Sequence, residues 1–184
     1  MWWLTQVHGD GIVTMAPGAP VGAGDPGDGL VSRDRGAAVV VLTADCASIA
    51  LGSDEGVFAA VHAGWRGLAA GVVGASIGAM RQAGAVGISA ALGPCIHPEC
   101  YEFSEEDLDG VAALFGDGVR GRTSAGRPAL DLPAAVRSAV ERAGVELVPG
   151  VDACTACEGS YFSHRARGDL GRQALVVWRG EGDG

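Results

Sequence analysis

The chain has 184 residues, 48% of them hydrophobic and only 19% charged, which describes one globular domain able to bury a core and excludes a disordered chain. Its formal net charge of −9 argues against a nucleic-acid partner, since phosphate contacts need clustered Lys and Arg. All 13 basic residues are arginine, so Schiff-base and P-loop lysine chemistry is excluded, and forked recognition of phosphate or carboxylate falls to arginine alone.

No basic leader opens MWWLTQVHGD, and no unbroken apolar run reaches transmembrane length, so no membrane partner is expected. Five cysteines without secretory features predict reduced thiols in the cytoplasm. The 31 glycines follow no collagen-like or solenoid period.

In chain order, Trp2 to Val7 and Ile12 to Thr14 read as two strands around an Asp10-Gly11 turn. Residues 16–29, APGAPVGAGDPGDG, read as a Gly/Pro/Asp loop. Gly29 to Ser32 and Ala37 to Thr43 are predicted strands, the second apolar enough to be covered on both faces. Ala47 to Leu51 and Val57 to Ala63 follow as strands around a turn at Ser53-Asp54-Glu55-Gly56. From Gly67 to Ala83 a helical stripe of Leu68, Val72, Ala75, Ala79 and Met80 predicts one small-residue helix.

Val86 to Leu92 is a further strand, running into Gly93-Pro94-Cys95-Ile96-His97. Ser104 caps a predicted helix over residues 105–115, with acids in its first turn. A polar loop over residues 116–129 leads to a second helix, capped by Asp131, carrying Pro133 early and ending at Gly144. Val145 to Val148 is a short strand, residues 152–170 read as irregular, and Gln173 to Trp178 closes the chain before a frayed EGDG tail. No internal linker divides the chain.

Reactive side chains gather at strand ends, where α/β sheets present ligand groups. Thr43-Ala44-Asp45-Cys46 ends one apolar run, and His62-Ala63-Gly64-Trp65-Arg66-Gly67 ends another. His8, Cys46 and His62 form a donor set suited to catalytic zinc with a fourth position for water. The same residues fit a Cys-His nucleophile pair, or a buried thiol beside strand-end histidines. Cys154-Thr155-Ala156-Cys157 has the spacing of half a zinc knuckle or a redox turn, but without a second regular pair it reads as packed or surface thiols. Arg66 at a helix start offers an anion site, and Ser163, His164, Arg165, Arg167 and Arg172 form a second basic cluster. Trp65 and Tyr161-Phe162 offer stacking surfaces for a planar base or phenol. The bland alternative for these arginines is surface pairing with the 22 acids.

Taken together, QVHG at 6–9, TADC at 43–46, HAGWRG at 62–67, GPCI at 93–96 with CYE at 100–102, and FSHR at 162–165 with GRQ at 171–173 resemble the purine nucleoside phosphorylase family formerly called polyphenol oxidoreductases or laccases. The resemblance covers nearly the whole chain and implies an α/β (mixed α+β) single domain over residues 1–180, with layered mixed β-sheets and flanking helices. That fold is similar to the polyphenol oxidoreductase (laccase)-like and cytotoxic necrotising factor-like putative cysteine hydrolase fold. It implies zinc on His8, Cys46 and His62, with copper as an alternative metal.

The implied reactions are phosphorolysis of adenosine, inosine, guanosine and S-methyl-5'-thioadenosine, with adenosine deamination beside it. The partners implied are purine nucleosides and phosphate, and the assembly a monomer or small homo-oligomer. Copper-dependent phenol oxidation and cysteine hydrolysis are the alternative enzyme readings; a catalytically idle binding member is the third. Four histidines are few for a multicopper laccase. Cys46, His62, Asp45 and Arg66 are assigned to catalysis, and Trp65, Arg66, Phe162 and Arg165 to the substrate. The family usually carries several dozen residues before its QVHG block, so the chain is expected to lack that segment. Ala166 and Leu170 replace an arginine and a threonine of the family pattern.

Overall fold

A computed structural model of the chain describes residues 1–16 and 23–180. Residues 17–22 of the expected 16–29 loop and the EGDG tail therefore lie outside the described residues, and the described remainder of that loop contains a strand over Ala23–Pro26. Twelve strands are formed among the described residues: β1 (Trp2–Thr5), β2 (Ile12–Thr14), β3 (Ala23–Pro26), β4 (Gly29–Ser32), β5 (Ala38–Thr43), β6 (Ala47–Ser53), β7 (Phe58–Ala63), β8 (Ile88–Leu92), β9 (Arg120–Arg122), β10 (Pro128–Leu130), β11 (Glu146–Val148) and β12 (Gln173–Trp178). The helices are α1 (Trp65–Ala70), α2 (Val72–Gln82), α3 (Glu105–Phe115), α4 (Leu132–Arg142) and α5 (His164–Arg167).

The strands build a mixed six-stranded sheet in the order β11-β8-β6-β7-β4-β2 and a mixed four-stranded sheet in the order β12-β5-β1-β3. Side-chain alternation on β4 and β7 explains how the layers stack. Leu30, Phe58 and Ala60 turn toward the four-stranded sheet and pack with Trp2, Leu4, Val39 and Val41. Val31, Ala59 and Val61 turn the other way, into the main core with Leu68, Val72, Ile77, Met80 and Val136 of the helices. The six-stranded sheet is thus the middle layer, which is why every residue of β7 is buried. The fold is the mixed α/β single domain with layered sheets expected from the sequence.

Several local expectations change. β1 and β2 are not a hairpin: β1 pairs in parallel with β3 and β5, while β2 pairs in parallel with β4 in the other sheet. Two flanking strands and the burial of Trp2 and Leu4 therefore anchor β1 just ahead of His8. Full coverage on both faces belongs to β7, whereas β5 exposes Leu42.

The single helix expected over 67–83 is two, because Gly71 takes φ 99° and both ends α1 and starts α2. Only glycine adopts that backbone cheaply. The 116–129 loop contains the antiparallel pair β9–β10, and the irregular 152–170 segment contains α5. The caps are as expected: Ser104 Oγ accepts the Asp107 N–H and Asp131 Oδ1 the Ala134 N–H. Among the described residues no helix is long and apolar enough to cross a membrane.

Ile49 sits at the centre of the middle sheet with no exposure. Ile49→Ala should cost about 2–5 kcal/mol through lost burial and a cavity, read as a lower urea midpoint with an unchanged slope.

Candidate metal centre and active-site cleft

His8, Cys46 and His62 come from three separate strand ends and meet. His8 follows β1, Cys46 lies between β5 and β6, and His62 stands near the end of β7 on the face turned toward the four-stranded sheet. One donor atom from each lies within 4.8 Å of the others, and the His8 Nε2 to Cys46 Sγ distance is 3.9 Å. The two imidazoles stand edge to face at 4.8 Å. His62 is buried, Cys46 half-buried and His8 exposed, so the donor triangle opens to one side. That asymmetry suits an ion with protein on one side and an accessible position on the other.

Two glycines of the HAGWRG run are required by this closeness. A Cβ on Gly64 would stand 3.0 Å from Cys46 Sγ and 3.1 Å from His8 Cδ2, and one on Gly67 would stand 3.0 Å from the Gly9 carbonyl. Backbone strain accompanies the packing, because His8 and Asp45 both take positive φ, 60° and 88°.

Asp28 organises the centre and was not foreseen. It is fully buried at the junction of β3 and β4. Its carboxylate accepts the backbone N–H groups of Val7 (3.3 Å), His8 (3.0 Å) and Gly9 (2.7 Å), and the Nδ1–H of His62 at 2.8 Å. Because the carboxylate only accepts, the His62 proton sits on Nδ1 and Nε2 keeps its lone pair for a ligand. No local signal in DPGDG separates this aspartate from an ordinary turn residue.

The electrostatics favour ligation over nucleophilic attack. Burial lowers the His62 pKa, outweighing the Asp28 carboxylate, and His8 adds to the effect, so the imidazole stays neutral. Burial also pushes the Cys46 thiol up to about 11, with Asp45 and Asp28 reinforcing it and Arg172 opposing. A thiol in that state is a weak nucleophile at neutral pH, whereas a divalent cation would hold it as thiolate. The donor set, its spacing and the oriented His62 therefore fit a zinc-type ion.

A cleft of about 600 Å³ opens over these residues, lined also by Gln6, Tyr101, His164, Arg165 and Arg172. Arg165 and Arg172 have no carboxylate partner among the described residues, unlike Arg120, Arg127 and Arg167. The Arg165 guanidinium lies 4.8 Å from the Tyr101 ring centre and donates to the Glu102 carbonyl. Burial pushes the Tyr101 hydroxyl up to about 12, so it keeps its proton.

The other expected residues sit differently. Arg66 is exposed, lies 4.4 Å over the Trp65 ring in the first turn of α1, and is not part of the cleft lining; nor are Trp65 and Phe162. Trp65 packs edge-on against Phe103. Asp45 lines the cleft, but its carboxylate is occupied by the Thr155 hydroxyl and the Arg165 backbone N–H, both at 2.7 Å. It anchors the wall that carries Arg165. His97 stands apart, 3.8 Å from both Glu99 and Asp152.

Known proteins resemble the chain over nearly its whole length. Residues 1–180 match the family described as multi-copper polyphenol oxidoreductase laccase, and the chain belongs to that family. A purine nucleoside phosphorylase of Streptomyces coelicolor is 41% identical over 182 residues, covering 96% of this chain and 74% of that protein. The purine nucleoside phosphorylase YfiH of Shigella flexneri is 34% identical over 96% of this chain and 72% of its own length. Among solved structures, YlmD of Geobacillus stearothermophilus superposes with a TM-score of 0.82 at 32% identity, over 97% of this chain and 74% of that one. The hypothetical protein YfiH of Bacillus licheniformis gives a TM-score of 0.86 at 26% identity over the same shares.

Two outcomes follow from the geometry. Asp28→Asn turns an NH₂ toward backbone N–H donors, so metal affinity measured by competitive chelation should fall about 10–100-fold, with loss of thermal stability. In metal-free protein, iodoacetamide should modify Cys46 slowly near neutral pH. Its rate should rise toward a midpoint of about 11, followed by peptide mass spectrometry.

Proposed function

We propose that the chain is a zinc-dependent purine nucleoside phosphorylase. Its substrates are adenosine, inosine, guanosine or S-methyl-5'-thioadenosine, cleaved with phosphate to base and pentose 1-phosphate, and adenosine deamination is a second reaction at the same cleft. The observation that carries this reading is the donor triangle of His8, Cys46 and His62 in a cleft that also holds Arg165 and Arg172, which have no carboxylate partner among the described residues. The names of the relatives, which span nearly the whole chain, point the same way. The cleft volume lies within the range of small-molecule sites.

Zinc bound by His8, Cys46 and His62 would supply Lewis-acid polarisation of a substrate oxygen or ring nitrogen. The chain's own groups do the remainder. Arg165 and Arg172 attract phosphate and spread its charge as an oxygen attacks the anomeric carbon. The glycosidic bond breaks with its electron pair passing to the base. The departing base takes up a proton, and His164 on the rim is the residue assigned to that transfer. Tyr101, which keeps its hydroxyl proton, donates a hydrogen bond to the substrate from the wall. Asp45 acts as a positioning residue, fixing the Arg165 backbone. Multicopper oxidation is the weaker reading: such centres draw on many histidines, and here two of the four converge with one cysteine.

Zinc-loaded protein should release adenine from adenosine only with phosphate present, yielding ribose 1-phosphate in equal amount by chromatography. Cys46→Ala and His62→Ala should each lower kcat/KM by about 10²-fold or more. Base release at the same rate without phosphate would exclude phosphorolysis.

A further inference from the structure

Three cysteines that the cleft does not use converge elsewhere. The 3₁₀ turn at Pro98–Cys100 brings Glu99 and Cys100 against the Cys154-Thr155-Ala156-Cys157 turn. One donor atom from each of Glu99, Cys100, Cys154 and Cys157 lies within 4.8 Å of the other three. Cys100 Sγ and Cys157 Sγ are 3.3 Å apart, and Glu99 Oε1 is 3.8 Å from Cys157 Sγ. These separations are close to the edge of a zinc–thiolate tetrahedron, about 3.8 Å for bonds of about 2.3 Å.

The surrounding backbone is shaped for ligation. The N–H groups of Cys157 and Glu158 both donate to the Cys154 carbonyl, at 3.2 and 3.0 Å, which turns the C-x-x-C pair so that both sulfurs face one side. The His97 N–H donates to Cys154 Sγ at 3.4 Å, a bond that strengthens when sulfur is anionic. Arg167 holds the same turn from outside, donating to the carbonyls of Thr155 (3.2 Å), Ala156 (3.0 Å) and Tyr161 (2.5 Å). Three soft thiolates with one carboxylate select a zinc-type ion over a hard cation such as magnesium or calcium.

We propose that Glu99, Cys100, Cys154 and Cys157 form a second metal site, taking a thiophilic divalent cation of the zinc class. Four protein donors close the coordination shell, so the ion is structural and does not activate water. It ties the 97–100 turn to the 154–157 turn. Both segments lead into the cleft wall: Thr155 bonds Asp45, and Arg165 bonds the Glu102 carbonyl just beyond Cys100. The sequence offered half of this site in the C-x-x-C pair; Cys100 and Glu99 join it only through the fold. The proposal does not depend on the phosphorylase reading.

The test is metal analysis by inductively coupled plasma mass spectrometry, on protein grown with zinc and purified in reductant without chelator. Cys46→Ala should keep one zinc equivalent, and Cys100→Ser with Cys157→Ser should lose one relative to the unaltered chain. In the unaltered chain, alkylation of the exposed Cys157 by iodoacetamide should be slow when zinc is bound and fast after chelation, so the result stands even where the double variant does not fold. Absence of zinc from Cys46→Ala would overturn the proposal. So would zinc-independent alkylation of Cys100 and Cys157, or a Cys100–Cys157 disulfide persisting in zinc-loaded protein.

Discussion

The buried carboxylate of Asp28 is the interaction on which the site depends. A fully buried carboxylate is costly unless its lone pairs are filled, and here four N–H donors fill them. Three come from the Val7–Gly9 backbone leaving the four-stranded sheet, and the fourth from His62 in the six-stranded sheet. The Asp28 carbonyl also accepts the His62 N–H at 2.7 Å. One residue therefore fixes the turn carrying His8, the tautomer and direction of His62, and the junction between the two sheets. The positive φ of His8 is sustained because its N–H and those of both neighbours are held by the same anion.

A similar logic shapes the opposite wall. Asp45 also takes positive φ and uses its carboxylate to hold Thr155 and the first turn of α5, while its carbonyl accepts the Ile96 N–H at 2.9 Å. Segments separated by more than a hundred residues are pinned at one side chain, which places Arg165 beside a cleft whose floor is set by Asp28. Two buried aspartates thus do most of the positioning, and the groups assigned to chemistry are carried by them. This division explains why an acidic chain keeps carboxylates close to a site read as anion-binding: their oxygens face the protein's own N–H and O–H groups.

How much of this was legible follows the range of each interaction. Strands β4 to β7, the capped helices α3 and α4, and the residues of the donor triangle were readable, because apolar runs, caps and reactive residues at strand ends are local patterns. The break at Gly71 was hidden within a continuous small-residue stripe. The assignment of β1 and β2 to different sheets was hidden because an Asp-Gly pair ordinarily signals a hairpin. Asp28 looked like a turn residue, since its burial arises from strands β1 and β7, far away in sequence. The choice among arginines had the same cause: Arg66 beside a helix start is a sequence-level anion signal, but of the two arginines assigned to substrate only Arg165 lines the cleft, joined there by Arg172, the first brought in by the Asp45 anchor and the second by the turn before β12.

The charge pattern shows how such a cleft can prefer anions on a molecule of net charge −9. Screening confines exposed charges to about 8 Å at physiological ionic strength, so distant acids contribute little inside the cleft. What acts there is local. Arg120, Arg127 and Arg167 are neutralised by Asp109, Asp117, Glu102 and Asp169, while Arg165 and Arg172 are held by backbone carbonyls, which fix their position without cancelling their charge. A carbonyl-anchored guanidinium keeps its full charge and forked geometry for an incoming oxyanion. Under the phosphorylase proposal, anion selection would therefore rest on contact-range arginines held by the backbone, with no need for long-range steering by the molecule as a whole.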